Sequence, residues 1–192
     1  MRVEEEGSVP FSVPAVPAAL ALAITRRWDG APLPDLRARV SLSAERNGLW
    51  VEAGMGHART PRIPAAPRGV RVEGLWEFDV VECFVVAADG RYFELELGAG
   101  GHYLALGFDA PRRRVNEFAR ELLAVEWQSD ARGWRARCRI PRGWLPEPVV
   151  RVNAFAIADG EFAVHAPVGG AQPDFHRPHA FPELRVPRWE GR

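Results

Sequence analysis

The sequence contains no lysine. Its 25 basic residues are all arginine, and 25 acidic residues balance them, so the formal net charge is zero. Without a positive field to draw in a polyanion, nucleic acid is not an expected partner. Cysteine is scarce as well. Cys83 and Cys138 are the whole complement in 192 residues, which excludes a disulfide framework and offers no zinc-ligand spacing; whether they pair is open. No apolar run reaches the roughly 18 residues of a membrane span, so no membrane partner is expected. The tract at residues 13–24 comes nearest to a secretory core, but acidic MRVEEE precedes it and prolines interrupt it. It reads as mature protein, favouring a soluble, cytoplasmic location. Also missing are G-x-S-x-G and any Cys/His pair in a catalytic context.

What is present is strand periodicity. Residues 36–44 alternate, and 49–53 follow Arg46-Asn47-Gly48, the signature of a hairpin turn. A Pro-rich loop spans 60–68. Three runs then come in quick succession, at 77–87, 91–97 and 102–108, separated by Asp89-Gly90 and by Gly98-Ala99-Gly100-Gly101. Those turns predict a meander. Residues 117–125 suit a short helix. WQSDARGWRARCRIP then returns to alternation, with Arg135, Arg137 and Arg139 opposite Trp134, Ala136, Cys138 and Ile140. A last hairpin at 149–158 and 161–166 turns at Asp159-Gly160, and a closing strand is expected at 184–186. Many short strands at this spacing predict an all-β fold, an antiparallel sandwich of jelly-roll type. One domain over 1–192, with its core at about 33–186, suits the length.

One residue in the meander is out of place. In LWEFDVVECFVV, strand alternation puts Phe78, Val80, Glu82, Phe84 and Val86 on one face and Glu77, Asp79, Val81, Cys83 and Val85 on the other. Glu82 is then a carboxylate among apolar neighbours, costly unless an arginine, a ligand or water satisfies it. Two accounts stand: Arg137 or Arg151 pairs with it and Trp76 is a core or rim residue, or the pair serves a ligand.

LWEFDVVECFVVAADGRYFELEL, WRARCRIPRGWL and PDFHRPHAFPELRV together resemble the carbohydrate-binding family 9-like and DOMON-like domains, across residues 33–186. The resemblance implies a β-sandwich. It also implies a W-x-x-x-x-x-E pair, Trp76 and Glu82, in which the indole faces a sugar ring and the carboxylate accepts its hydroxyls. This chemistry is sound: an indole is a rigid apolar plate, and a carboxylate takes charge-assisted hydrogen bonds. Glu94 holds the Y-x-E position, Tyr103 is a further candidate, and Phe175 and His176 stand where sugar-binding relatives carry a second tryptophan. The expectation is non-catalytic binding of a small-molecule ligand, possibly a carbohydrate, with no cofactor.

Two alternatives accompany it. Haem-binding relatives order a methionine before a histidine as axial ligands, which Met55 and His165 match for haem b, with Met55 in an apparent loop. The other is an interaction domain with no small-molecule ligand. His176-x-x-His179 beside Asp174 carries no helix to converge its imidazoles, so no metal is expected. A hydrolytic pair of Glu82 with Glu94 or Asp79 would need a separation that spacing does not supply.

Overall fold

The computed structural model describes residues 20–56 and 60–184. The strands are β1 (Leu20–Ile24), β2 (Arg26–Arg27), β3 (Arg37–Glu45), β4 (Gly48–Gly56), β5 (Val80–Ala87), β6 (Tyr92–Gly98), β7 (Tyr103–Ala110), β8 (Arg113–Asn116), β9 (Val125–Asp130), β10 (Gly133–Pro141), β11 (Val149–Ala158) and β12 (Glu161–Val164). They form two antiparallel sheets, ordered β1-β3-β4-β10-β9 and β2-β12-β11-β5-β6-β7-β8. The protein is an all-β sandwich whose chain passes repeatedly from one sheet to the other.

The expected meander is present as β5, β6 and β7. Gly90 supplies the first turn with φ 87°, and Gly101 the second with φ 73°. Odd-numbered residues of these strands (Val81, Cys83, Val85, Phe93, Leu95, Leu97, Ala105) face inward. They pack on Val40, Leu42, Val51, Ala53, Ala136, Cys138 and Ile140 of the five-stranded sheet. Arginine sits on the opposite face of β10, as alternation requires. The Arg137 guanidinium lies 4.0 Å above the Trp50 ring, opposite Glu52 and Glu126 in register. Arg137 is therefore not a partner for Glu82.

Even-numbered residues of β5 to β7 form a second apolar layer on the outer face of the seven-stranded sheet. Val80, Phe84, Tyr92, Leu104, Leu106 and Phe108 join Phe155 of β11 there. Leu75, Val168, Phe175 and Phe181 cover them from loops. Phe155 stacks on Phe175 (4.2 Å between centroids) and meets Phe84 edge-on at 5.2 Å. Asn153 fastens the covering segment at its start: its amide accepts from Ala166 N at 3.1 Å and donates to Ala166 O at 2.9 Å.

Several expectations are corrected. Strand β5 starts at Val80, and Leu75–Glu77 is a 3₁₀ turn, so Trp76 precedes the strand that carries Glu82. Residues 117–124 form no helix: the Asn116 side chain captures the Phe118 N–H at 2.9 Å, Phe118 takes φ 45°, and Phe118 and Leu123 turn into the core. Met55 belongs to β4 rather than a loop. The closing strand reduces to one bridge, Arg151 to Glu183, and residues 185–186 lie outside the described residues. So do 13–19 of the N-terminal tract, while Leu20–Ile24 is a strand paired with β3. No helix among the described residues is long and apolar enough to cross a membrane.

Candidate functional site

The covered outer face is not sealed. A cavity of about 310 Å³ opens there, walled by Trp76, Leu106, Phe108, Ile157, Phe162 and Phe175, with Glu82, Glu94, Arg112, Arg114 and His176 as its charged and polar groups. Four of the six residues that the sequence analysis assigns to ligand binding as its main expectation (Trp76, Glu82, Glu94, His176) reach it with polar or exposed groups. Trp76 is 37% exposed at the rim, and the Arg114 guanidinium lies 5.2 Å from its ring centroid. Glu73 holds Arg114 in turn at 2.6 Å and Arg71 at 3.0 Å, which fixes the wall beside the indole.

Phe175 lines the cavity but is mainly a plug, 8% exposed and stacked on Phe155. It does not stand free as a second clamp. Tyr103 is corrected outright: as an odd-numbered residue of β7 it points between the sheets, 2% exposed, and its hydroxyl accepts the Leu123 N–H at 3.0 Å.

His176 is held tightly. Its Nδ1 is 2.8 Å from the Tyr92 hydroxyl, which also accepts the Arg112 N–H at 2.9 Å. Arg112 pairs with Asp174 at 2.8 Å, and Asp174 accepts the His176 N–H at 3.1 Å. Burial, then the nearby Arg112 charge, push the imidazole down to about 4, so it is neutral around pH 7. Its Nε2 lies 3.8 Å from Glu94 Oε2, too far for a hydrogen bond.

The carboxylates are the unusual part. Glu82 stands directly opposite Glu96 across the β5–β6 ladder, and Glu94 is two residues away on the same face of β6. Glu82, Glu94 and Glu96 are 3%, 3% and 0% exposed, and one oxygen of each lies within 4.8 Å of the others. Burial raises the Glu82 and Glu96 carboxyls well above the ordinary range, each also raised by its carboxylate neighbours. Burial brings Glu94 to about 7. Among the described residues no arginine pairs with Glu82: Arg151, the other expected partner, pairs with Glu183 at 2.9 Å and donates to Phe181 O. Glu96 is not among the residues expected from the sequence, although FELEL places Glu94 and Glu96 on one strand face. Arg112 and Arg114 carry no comparable signal, because their places depend on β8 folding beside β7.

The remaining expectations dissolve on placement. Met55 is 3% exposed in the inter-sheet core and borders a cavity lined by Arg37, Arg39, Gln128, Asp130 and Arg132 that does not include His165. His165 Nδ1 donates to Ala23 O at 2.8 Å. These two residues do not face each other across an apolar pocket, so they do not fit as a haem pair. His176 and His179 line different cavities. Asp79 does not reach the cavity; its carboxylate accepts the backbone N–H groups of Arg62 and Asp159.

No family model matches the chain. It is similar to UPF0462 protein C4orf33 homologs: 28% identical over 180 residues to that of Rattus norvegicus (85% of this chain, 89% of the relative), and 26% over 175 residues to that of Danio rerio (85% and 87%). The human UPF0462 protein C4orf33 is 26% identical over 165 residues, covering 80% and 81%. Among solved structures, a candidate carbohydrate-binding protein from Bacteroides uniformis superposes with TM-score 0.66 at 17% identity, over 86% of this chain and 85% of that one. That likeness shows a shared fold.

Proposed function

We propose that the outer-face cavity binds a sugar or similar polyhydroxy small molecule without catalysing its conversion. The observation that carries this reading is the convergence of Trp76, Glu82 and Glu94 on one cavity. Trp76 offers a partly exposed indole for the C–H face of a ring. Glu82 and Glu94 accept hydroxyl hydrogens, and Arg112 and Arg114 donate to ring or hydroxyl oxygens. A volume of about 310 Å³ lies at the small end of the roughly 300–1,000 Å³ of ligand sites, which suits one or two sugar rings. The resemblance to carbohydrate-binding family 9-like and DOMON-like domains supports the same chemistry, as does the carbohydrate-binding description of the Bacteroides uniformis protein.

Calorimetry with a panel of mono- and disaccharides tests the reading. Trp76→Ala is expected to remove most of the binding, and Glu82→Gln to weaken it by about 1.5–3 kcal/mol, the range for a hydrogen bond to a charged acceptor. A panel with no binder at millimolar concentration overturns it.

A further inference from the structure

Beneath the cavity lies a problem that a sugar alone does not resolve. Glu82 and Glu94 line the cavity and Glu96 sits behind them, fully buried. Oε2 of Glu94 and both carboxylate oxygens of Glu96 have no hydrogen-bond partner among the described residues. The two arginines that line the cavity form their ion pairs with other carboxylates, Arg112 with Asp174 and Arg114 with Glu73, and His176 is neutral. Three adjacent buried carboxylates cannot all stay ionised unaided. Protons would reduce the charge, and Glu96 can share one with Glu94, yet that leaves the second oxygen of Glu96 buried without a partner among the described residues, which is itself costly.

A hard divalent cation resolves both difficulties at once. It supplies two positive charges and takes carboxylate oxygens as ligands. We infer that Glu82, Glu94 and Glu96 form a calcium site at the floor of the cavity. Calcium–oxygen distances of about 2.3–2.6 Å put any two ligand oxygens no more than about 4.6–5.2 Å apart, and the three glutamate oxygens meet that limit. Three carboxylates from one sheet face cover only one side of the ion. Calcium accepts six to eight oxygens in flexible geometry, so the cavity side is left to water and to hydroxyl groups. The one negative charge remaining faces the wall that holds Arg112 and Arg114. Magnesium, with its stricter octahedron and tightly held water, suits the arrangement less well. The site goes beyond the sugar reading and does not depend on it.

The test uses the full chain, stripped with a chelator and titrated with calcium chloride or magnesium chloride, followed by calorimetry and thermal unfolding. One calcium per chain should bind and raise Tm, with a smaller rise for magnesium. Glu96→Gln should abolish both calcium effects while its Tm in chelator is equal to or above that of the wild type, because the amide removes a buried charge. Should Glu96→Gln not fold, Glu94→Gln at the cavity surface carries the same comparison. No heat and no Tm shift up to about 10 mM calcium, above the range of the weakest calcium modules, overturns the inference, as does unchanged calcium binding in Glu96→Gln or a magnesium response as large as that of calcium. Saccharide binding measured with and without chelator separates the two proposals. Sugar bound without any calcium response sinks the cation site alone, and calcium bound with no saccharide recognised sinks the sugar reading alone.

Discussion

The Tyr92 hydroxyl and His176 Nδ1 meet at 2.8 Å across 84 residues of chain, joining the buried strand β6 to the loop that covers it. With the imidazole proton on Nε2, the hydroxyl donates to Nδ1 and accepts from the Arg112 N–H. Tyr92→Phe removes both bonds and leaves a partly buried imidazole nitrogen and an N–H unpaired. The expected loss is about 1–3 kcal/mol, read by thermal unfolding, with faster amide exchange around His176. Wild-type stability and exchange in this variant would show that the loop is held by apolar packing alone.

Phe155 is the centre of that packing, fully buried and in contact with the rings of Phe84, Phe175 and Phe181. Phe155→Ala should cost about 3–5 kcal/mol, the sum of lost transfer energy and the void left behind. Denaturant unfolding measures it. A loss under about 1 kcal/mol would mean that the covering loop contributes little to stability.

Gly48 closes the β3–β4 hairpin at φ 157°, and a Cβ there would strike the Ile140 carbonyl oxygen of β10. Backbone on the neighbouring strand has little freedom to yield. Gly48→Ala is therefore predicted to destabilise by at least the roughly 1–3 kcal/mol of an overpacked site, against a few tenths for an exposed alanine substitution elsewhere. Comparing the two by calorimetry decides the point.

The carboxylate cluster predicts a pH dependence in chelator-stripped protein. Glu94 is raised from an ordinary value of 4.5 to about 7, so the folded state holds its proton over a range where the unfolded chain has released it. The stabilisation is complete below about 4.5 and is lost as the pH rises through about 7; Glu82 and Glu96 are raised in the same direction. His176, held down to about 4, has the opposite sign and adds stability as the pH rises to about 6.5, so the fall of Tm in chelator should be read between about pH 6.5 and pH 8. A Tm that rises over that interval contradicts the burial of these groups.

Alternation and turn chemistry were enough to read β3 through β7, the β9–β10 hairpin and the sandwich class, because both are local: side-chain direction follows from residue parity, and Gly90 and Gly101 have the left-handed φ that their turns need. The same parity rule separates inward Cys83 from outward Glu82. Non-local pairing lay beyond it. Glu82 looks solitary along the chain, yet the register of β5 against β6 sets Glu96 opposite it. Tyr103 looks like a binding residue beside an aromatic motif, but its place on β7 turns it into the core. The helix expected near residue 120 gave way to burial of Phe118 and Leu123, a tertiary demand that outweighs weak local propensity. Above all, sequence alone put Glu82 on an apolar strand face without saying what covers that face. Burial of the three carboxylates arises when the loop around Leu75 and the segment carrying Val168, Phe175 and Phe181 fold over the outer face of the seven-stranded sheet, since desolvation is set by what packs from above a sheet and not by the strand that carries the charge.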